Sequence, residues 1–256
     1  MTKKILYIHP IHTPELLEEM QEYLAQHKGV DTEVDVIGLE KGPQHLEYHY
    51  YELLAALELM NIIKQAEKDG YDAAIIGCFY DPFVREAKEI CTRMVVTGLA
   101  EASMQLASNL GDNFSIISGR QKCTPTFRAN THKYGYADKL ASFRHLDLGV
   151  ADLQADLCVT ADRMESAIAQ AVKEDQAEVI VLGCSMMFGF YEKMQKKYGV
   201  PVIDPMLAGF KHAEYLVEMR DQFGWYTSKV GEYETPPTEE IKAWGLEEAY
   251  GLPKVW

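Results

Sequence analysis

Ala73-Ala-Ile-Ile-Gly-Cys78-Phe-Tyr-Asp81-Pro82 reads as a short buried strand that stops at a Gly-Cys corner, followed by a helix opened by Asp-Pro. Much later the chain repeats the arrangement in Glu178-Val-Ile-Val-Leu-Gly183-Cys184-Ser-Met-Met-Phe188. Each cysteine follows a glycine that ends an apolar run of strand length. An open α/β sheet places its chemistry beyond the carboxyl ends of the strands. Two thiols at matching corners of two matching halves therefore predict a pair facing one cleft.

Working outward, the first half predicts strands at Lys4–Ile8 and Val34–Ile37, the Cys78 strand, and a strand at Met94–Val96. Helices are expected at about 14–27, 47–68, 83–91 and 99–110. The second of these is read as amphipathic on Leu53, Leu54, Leu57, Met60, Ile63 and Ala66. The second half repeats the rhythm, with strands at Phe114–Ile117, Phe143–Leu148, the Cys184 run and 199–203. Its helices fall at about 125–134, 161–174 and 188–198. Strands alternating with helices of this length mean βα units and parallel sheets. Right-handed crossovers bring the strand ends to one edge.

The expected fold class is α/β: two pseudo-symmetric lobes, each a short parallel sheet flanked by helices, with the active-site cleft between them. Residues 1–97 with 206–256 form the first lobe, the helix from about Met206 to Arg220 packing back on it, and 98–205 form the second. From Asp221 the chain is either an arm packed on a lobe or neighbouring subunit, on the strength of Trp225, Tyr226, Tyr233, Trp244 and Trp256, or a loosely ordered tail.

The formal net charge of −14 argues against a phosphate-backbone partner, which needs clustered Lys and Arg. The Ile5–Ile8 run is too short for a signal-peptide core, and no apolar stretch reaches the roughly 18 residues of a spanning helix. Five cysteines, an odd number with no C-x-x-C pair, fit free thiols in a reducing cytoplasm. Neither nucleic acid nor membrane is expected as a partner. His45-Leu-Glu-Tyr-His49 is not H-E-x-x-H and lacks a third ligand, so it reads as a surface or capping pair, and no metal is expected. Dinucleotide and P-loop glycine patterns are absent too, and no cofactor is expected.

A free thiol titrates near 8.5 and is a poor base at neutral pH. Both cysteines precede predicted helices, whose N-terminal N–H groups lower a thiol pKa and can hold a developing oxyanion. Two opposed thiols suit inversion at an acidic carbon: one removes a proton, the other returns one to the opposite face. Cys91, Cys123 and Cys158 read as small hydrophobes.

Around the pair, the expected substrate contacts are His9, Phe79, Tyr80, Asp81, Ser118, Gly119, Ser185 and Met186. Asp81 either tunes Cys78 or bonds the substrate, or else caps the helix before Pro82. Ser118 either offers a hydroxyl to the cleft or is a turn residue, and His9 is a substrate donor or a structural histidine. Arg120 and Lys122 read as solvated loop charges rather than an anion site.

At these residues the chain resembles the aspartate/glutamate/hydantoin racemase superfamily, in its hydantoin racemase-like branch. Gly77-Cys-Phe-Tyr-Asp-Pro82 is similar to that branch's G-C-F-x-D-P, and Leu182-Gly-Cys-Ser-Met-Met187 to its L-G-C-A-G-M. Gly199-Val-Pro-Val-Ile-Asp-Pro205, Tyr134-Gly through Leu146-Asp-Leu148, and Thr227-Ser-Lys-Val-Gly-Glu-Tyr-Glu-Thr-Pro236 also resemble family stretches. The resemblance implies a cofactor-independent homo-oligomer with Cys78 and Cys184 as opposed acid and base, acting on 5-substituted hydantoins or allantoin. His9-Pro-Ile-His12 stands where the branch reads N-P-N-T, and Ser118-Gly119 where it reads T-T. Those changes alter hydrogen bonding to a substrate and leave the thiol pair intact. Other expectations kept open are an isomerase or decarboxylase of the same superfamily, and a non-catalytic small-molecule binding protein.

Overall fold

Ile8 and Ile76 are the last residues paired between neighbouring parallel strands, and the Gly77 N–H bonds the Ile8 carbonyl at 2.8 Å. Ile117 and Leu182 are the equivalent pair in the second half, where Gly183 N–H bonds the Ile117 carbonyl at 2.7 Å. In the computed structural model, which describes residues 2–252, these corners belong to two four-stranded parallel sheets. The first holds β1 (Lys3–His9), β2 (Thr32–Gly38), β3 (Ala73–Ile76) and β4 (Val95–Gly98) in the order β2-β1-β3-β4. The second holds β5 (Phe114–Ser118), β6 (Leu140–His145), β7 (Val179–Leu182) and β8 (Val202–Ile203) in the equivalent order β6-β5-β7-β8. The sheet pair fits the expected α/β class.

The helices are α1 (Leu17–His27), α2 (His49–Lys68), α3 (Val84–Ile90), α4 (Leu99–Leu110), α5 (Thr124–Lys133), α6 (Leu157–Lys173), α7 (Tyr191–Tyr198) and α8 (Pro205–Phe223). Central strands buried on both faces carry continuous apolar runs. In the first sheet Ile5, Tyr7, Ala73 and Ile75 enter the main core, while Leu6, Ile8, Ala74 and Ile76 face a second core shared with α2 and α3. Helices α4 and α8 change sides. α4 leaves β4 and packs on β7, and α8 leaves β8 and packs on β1, β3 and β4. They meet at Gly209, where a Cβ would lie 2.6 Å from a Leu99 methyl. One core therefore runs through both sheets.

A crossed pair of contacts fixes the two corners. After β3, Asp81 lies over Gly98 and accepts from the N–H groups of Ala100 (2.9 Å) and Glu101 (2.8 Å) at the start of α4. A Cβ at Gly98 would sit 2.3 Å from the Asp81 carboxyl carbon, so glycine is needed there. Tyr134, at the end of α5, donates its hydroxyl to the same carboxylate at 2.8 Å. In the other half Asp204 caps α8 through Met206 and Leu207, and also accepts from Gly189 N–H in the turn after β7. Its tyrosine is Tyr23 of α1, at 2.7 Å. Each half thus sends a tyrosine to the aspartate beside the other half's corner.

Several expected boundaries move. β6 begins at Leu140 rather than Phe143, because Ser142 and Arg144 find partners in Ser115 and Asp175 that let polar residues pair with β5. α6 begins at Leu157, capped by Asp156, and α7 begins at Tyr191 after a 3-10 turn at Ser185–Met187. The larger change is the orientation of α2. Its buried positions are Ala55, Leu59, Ile63, Lys64 and Ala66, whereas Leu53, Leu54 and Leu57 are exposed. Leu59 and Ile63, with Ala55 and Ala66, supply the face that joins the second core, and the Leu53, Leu54 and Leu57 stripe points outward.

The C-terminal arm lies on the first sheet's side. Lys229 donates to the Lys88 and Glu89 carbonyls at the end of α3, and Thr235 also donates to Glu89. A cation there answers the unpaired carbonyls of a helix C-terminus. Two short helices follow, α9 (Thr238–Ala243) and α10 (Leu246–Tyr250). Trp225 and Trp244 are exposed, and Trp256 lies outside the described residues.

Removing the Asp81 carboxylate strands two N–H groups and a buried hydroxyl. Asp81→Ala should lower unfolding stability by about 3 kcal/mol, against about 1 kcal/mol for Tyr134→Phe, in urea titrations. Equal losses in the two variants would contradict the capping role.

Candidate active site

The strand ends β1, β3, β5 and β7 open onto one cleft enclosing about 580 Å³, its open mouth included. Cys78 and Cys184 both line it, each about to leave its sheet through a tight turn. Glycine precedes each cysteine for steric reasons. A Cβ at Gly77 would lie 2.5 Å from the Tyr7 ring, and one at Gly183 would lie 2.8 Å from the Ile117 carbonyl oxygen. After Cys78 the backbone passes through left-handed Asp81 (φ 50°) and Phe83 (φ 57°) before α3 starts. Non-glycine residues in this region carry strain that surrounding contacts must hold. Here they do: Phe79 packs edge-on against Phe127 of α5 at 5.0 Å, and Asn130 donates to the Tyr80 carbonyl at 2.9 Å. The Cys184 turn is held by Gln154, which donates to the Met186 carbonyl at 2.7 Å.

The expected lowering of the thiol pKa by helix N-termini is not what the fold produces. α3 begins six residues after Cys78, and Cys184 leads only a single 3-10 turn. Burial dominates, pushing the Cys78 thiol well up and the Cys184 thiol up to about 12. The Tyr80 and Met186 N–H groups oppose the shift without cancelling it. Charge on Cys184 also pushes Cys78 up. Two thiols that repel each other's charge hold one negative charge between them more readily than two.

Of the expected contacts, His9, Phe79, Tyr80, Gly119, Ser185 and Met186 line the cleft. His9 is buried, both of its ring nitrogens lack a protein partner, and burial lowers its pKa to about 4. It is a neutral imidazole with hydrogen-bonding capacity left over. Asp81 and Ser118 are corrected. The Asp81 carboxylate is spent on α4 and Tyr134, not on α3, Cys78 or a ligand, and burial raises it to about 6. Ser118 is turned away, its hydroxyl on His145 Nδ1 at 2.7 Å and the Arg120 carbonyl at 3.3 Å.

Sequence reasoning missed a third side of the cleft. His45, Leu46 and Glu47 line it from the loop between β2 and α2, and Cys123 lines it from the start of α5. The available signal was positional: that loop also leaves the carboxyl end of a strand, as His9 and Cys78 do. His45 and His49 diverge, His45 lying near Glu47 and His49 pairing with Glu52 on the surface. Among the described residues no group of three or more His, Cys, Asp or Glu is placed to hold a metal ion. Ile11, Phe127, Val150 and Leu153 complete an apolar wall.

Thiols raised by burial should be slow nucleophiles. Peptide-mapped iodoacetamide labelling at pH 7 should modify exposed Cys158 well before Cys78 or Cys184, and the gap should narrow towards pH 10 as thiolates form. Fast labelling of both cleft thiols at pH 7 would contradict this electrostatic account.

Comparison with known proteins agrees along nearly the whole chain. Residues 5–213 match the sequence profile described as Asp/Glu/Hydantoin racemase. The hydantoin racemase of Paenarthrobacter aurescens is 34% identical over 242 residues, covering 93% of this chain and 99% of that protein. The hydantoin racemase of Pseudomonas sp. (strain NS671) is 32% identical over 237 residues, 93% of each chain. The solved allantoin racemase from Klebsiella pneumoniae superposes with a TM-score of 0.86 at 28% identity, covering 93% of this chain and 95% of that one. The chain belongs to the Asp/Glu/hydantoin racemase family.

Proposed function

We propose that the protein is a cofactor-independent racemase that inverts a carbon next to a carbonyl, with Cys78 and Cys184 as its two acid–base groups. The observation that carries the reading is that both Gly-Cys corners, from separate sheets, open onto one buried cleft. One cysteine, as thiolate, takes the proton from the carbon, and the other, as thiol, delivers a proton to the opposite face. One C–H bond breaks and one forms, so there is no net redox change, and the negative charge passes from one sulfur to the other. The roles then suit the opposite enantiomer. The electron pair released from carbon moves onto the carbonyl oxygen in between. Neutral His9, with its ring nitrogens unspent, is the donor proposed for that oxygen.

The substrate proposed is a 5-substituted hydantoin or an allantoin-like ring, on the strength of the hydantoin and allantoin racemases that the chain resembles. Phe79, Tyr80, Gly119, Ser185 and Met186 are proposed as its contacts. Residues 1–97 with 206–256 and residues 98–205 are proposed as the two lobes, a division supported by α4 packing on β7 and α8 packing on β1, β3 and β4. Free thiols favour a reducing cytoplasm, and among the described residues no helix is long and apolar enough to cross a membrane.

The outward stripe of α2 supports a homo-oligomer, since Tyr50, Leu53 and Leu54 are each more than half exposed on one helix.

In heavy water, L-5-benzylhydantoin should lose its optical rotation while its ring carbon gains deuterium. Cys78→Ser and Cys184→Ser should each slow racemisation by about 10²–10⁴-fold, the usual worth of one acid–base group. Full activity in either variant would sink the two-thiol mechanism. Leu53→Glu should lower the mass found by light scattering, and an unchanged mass would remove α2 from the interface.

A further inference from the structure

Behind the floor of the cleft lies a buried hydroxyl with no partner. Tyr7 sits on β1, an interior strand of the first sheet, and is 0% exposed. A Cβ at Gly77 would lie 2.6 Å from its hydroxyl oxygen, which therefore rests against the residue that leads into Cys78. No described side chain bonds that hydroxyl at good geometry. The nearby carboxylate, Asp204, is already taken: Tyr23 and Gly189 donate to its Oδ2, and Met206 and Leu207 to its Oδ1. Burial, then charge on Asp204, Cys78 and Cys184, pushes the phenol well above its ordinary value, against a smaller opposing pull from the Ser185 hydroxyl. Tyr7 is thus a neutral donor within electrostatic reach of both thiols. It is not among the residues lining the cleft, so it has no contact to offer a ligand. An unpaired buried hydroxyl is costly, and phenylalanine would fill the same space without that cost. Apolar packing alone therefore does not account for a tyrosine at this position. What its hydroxyl lacks is an acceptor, and proton transfer at Cys78 or Cys184 creates one, a thiolate.

We propose that Tyr7 is a positioning residue of the thiol pair: its hydroxyl donates a hydrogen bond to whichever of Cys78 and Cys184 carries the negative charge. The assignment rests on the two-thiol reading and deepens it, because it says how a thiolate is held where burial opposes charge. A hydrogen bond to an ionised acceptor is roughly twice as strong as one between neutral groups. As the charge passes from one sulfur to the other, the O–H turns with it, and Tyr7 neither gains nor loses a proton. Strand alternation puts His9, two residues further along β1, on the same face. His9 lines the cleft and serves the substrate oxygen, whereas Tyr7 stands behind it and serves the sulfurs.

The test is the pH profile of iodoacetamide labelling at Cys78 and Cys184, read by peptide mapping in wild type and Tyr7→Phe, with exposed Cys158 as the internal reference. Without the donor a thiolate is harder to form. Both cleft profiles should therefore move to higher pH by about one unit, a roughly tenfold slower rate at a fixed pH below the midpoint, while Cys158 is unchanged. In urea titrations Tyr7→Phe should be at least as stable as wild type, since it removes an unpaired polar group. Replacing Tyr7 alone with 3-fluorotyrosine, a stronger donor of nearly the same shape, should move both profiles to lower pH. That variant keeps the test decisive if the phenylalanine protein folds poorly. Unchanged profiles, shifts of the same sign in the two variants, or a shift at one cysteine alone would overturn the proposal. Racemisation of 5-benzylhydantoin is followed separately, and Tyr7→Phe should lower kcat by about tenfold at unchanged KM. If wild type does not racemise that compound, the two-thiol reading is in doubt, while the labelling profiles still judge Tyr7.

Discussion

The cleft depends on two buried carboxylates, each held by a tyrosine from the opposite half of the chain. Asp81 ties the Cys78 turn to the first turn of α4, and Asp204 ties the start of α8 to the turn after Cys184. Tyr134 and Tyr23 complete the two sites from α5 and α1. Burial makes such carboxylates costly and raises both, and the donors clustered on each oxygen offset part of that cost. Burial and the neighbouring carboxylate raise both tyrosines, so their hydroxyls stay protonated as donors. Because the tyrosine bonds of both sites cross between the halves, moving one sheet relative to the other would break them together. The spacing of the two thiols is thereby coupled to the packing of the whole molecule.

The same burial that fixes the corners sets their electrostatics. A thiol at a solvated helix N-terminus would be depressed, but both cleft thiols lie among apolar side chains and are raised. At neutral pH a raised thiol stays protonated, which suits the acid of the proposed pair, while the base must lose its proton before it can act. Burial has the opposite effect on His9, keeping the imidazole neutral and its nitrogens available. In the proposed mechanism, one property of the cleft tunes both kinds of group.

Much of this was legible in local pattern. Apolar runs ending in glycine placed β3 and β7, the near-repeat of the two halves implied twin sheets, and the Gly-Cys corners singled out both thiols. The reading faltered where a side chain's partner lay far along the chain. Asp81 looks like a cap for the helix next to it, but its N–H partners begin at Ala100. The Leu53, Leu54 and Leu57 stripe has helical spacing, yet Ala55 and Leu59 face the sheet, because helix periodicity identifies an apolar side without saying what covers it.

Periodicity and glycine placement, which act over a few residues, were therefore enough for the α/β class, the two corners and the family resemblance. Which polar groups face the cleft was settled only when distant segments met. Ser118 turned to His145, Asp81 was used up on α4, and Glu47, expected as the first residue of a helix, came into the cleft from the loop before α2. The physical reason is that hydrogen-bond capacity is limited: a side chain is free for a substrate only if the folded chain has not already taken its bonds, and those partners lie too far away in sequence for local pattern to reveal.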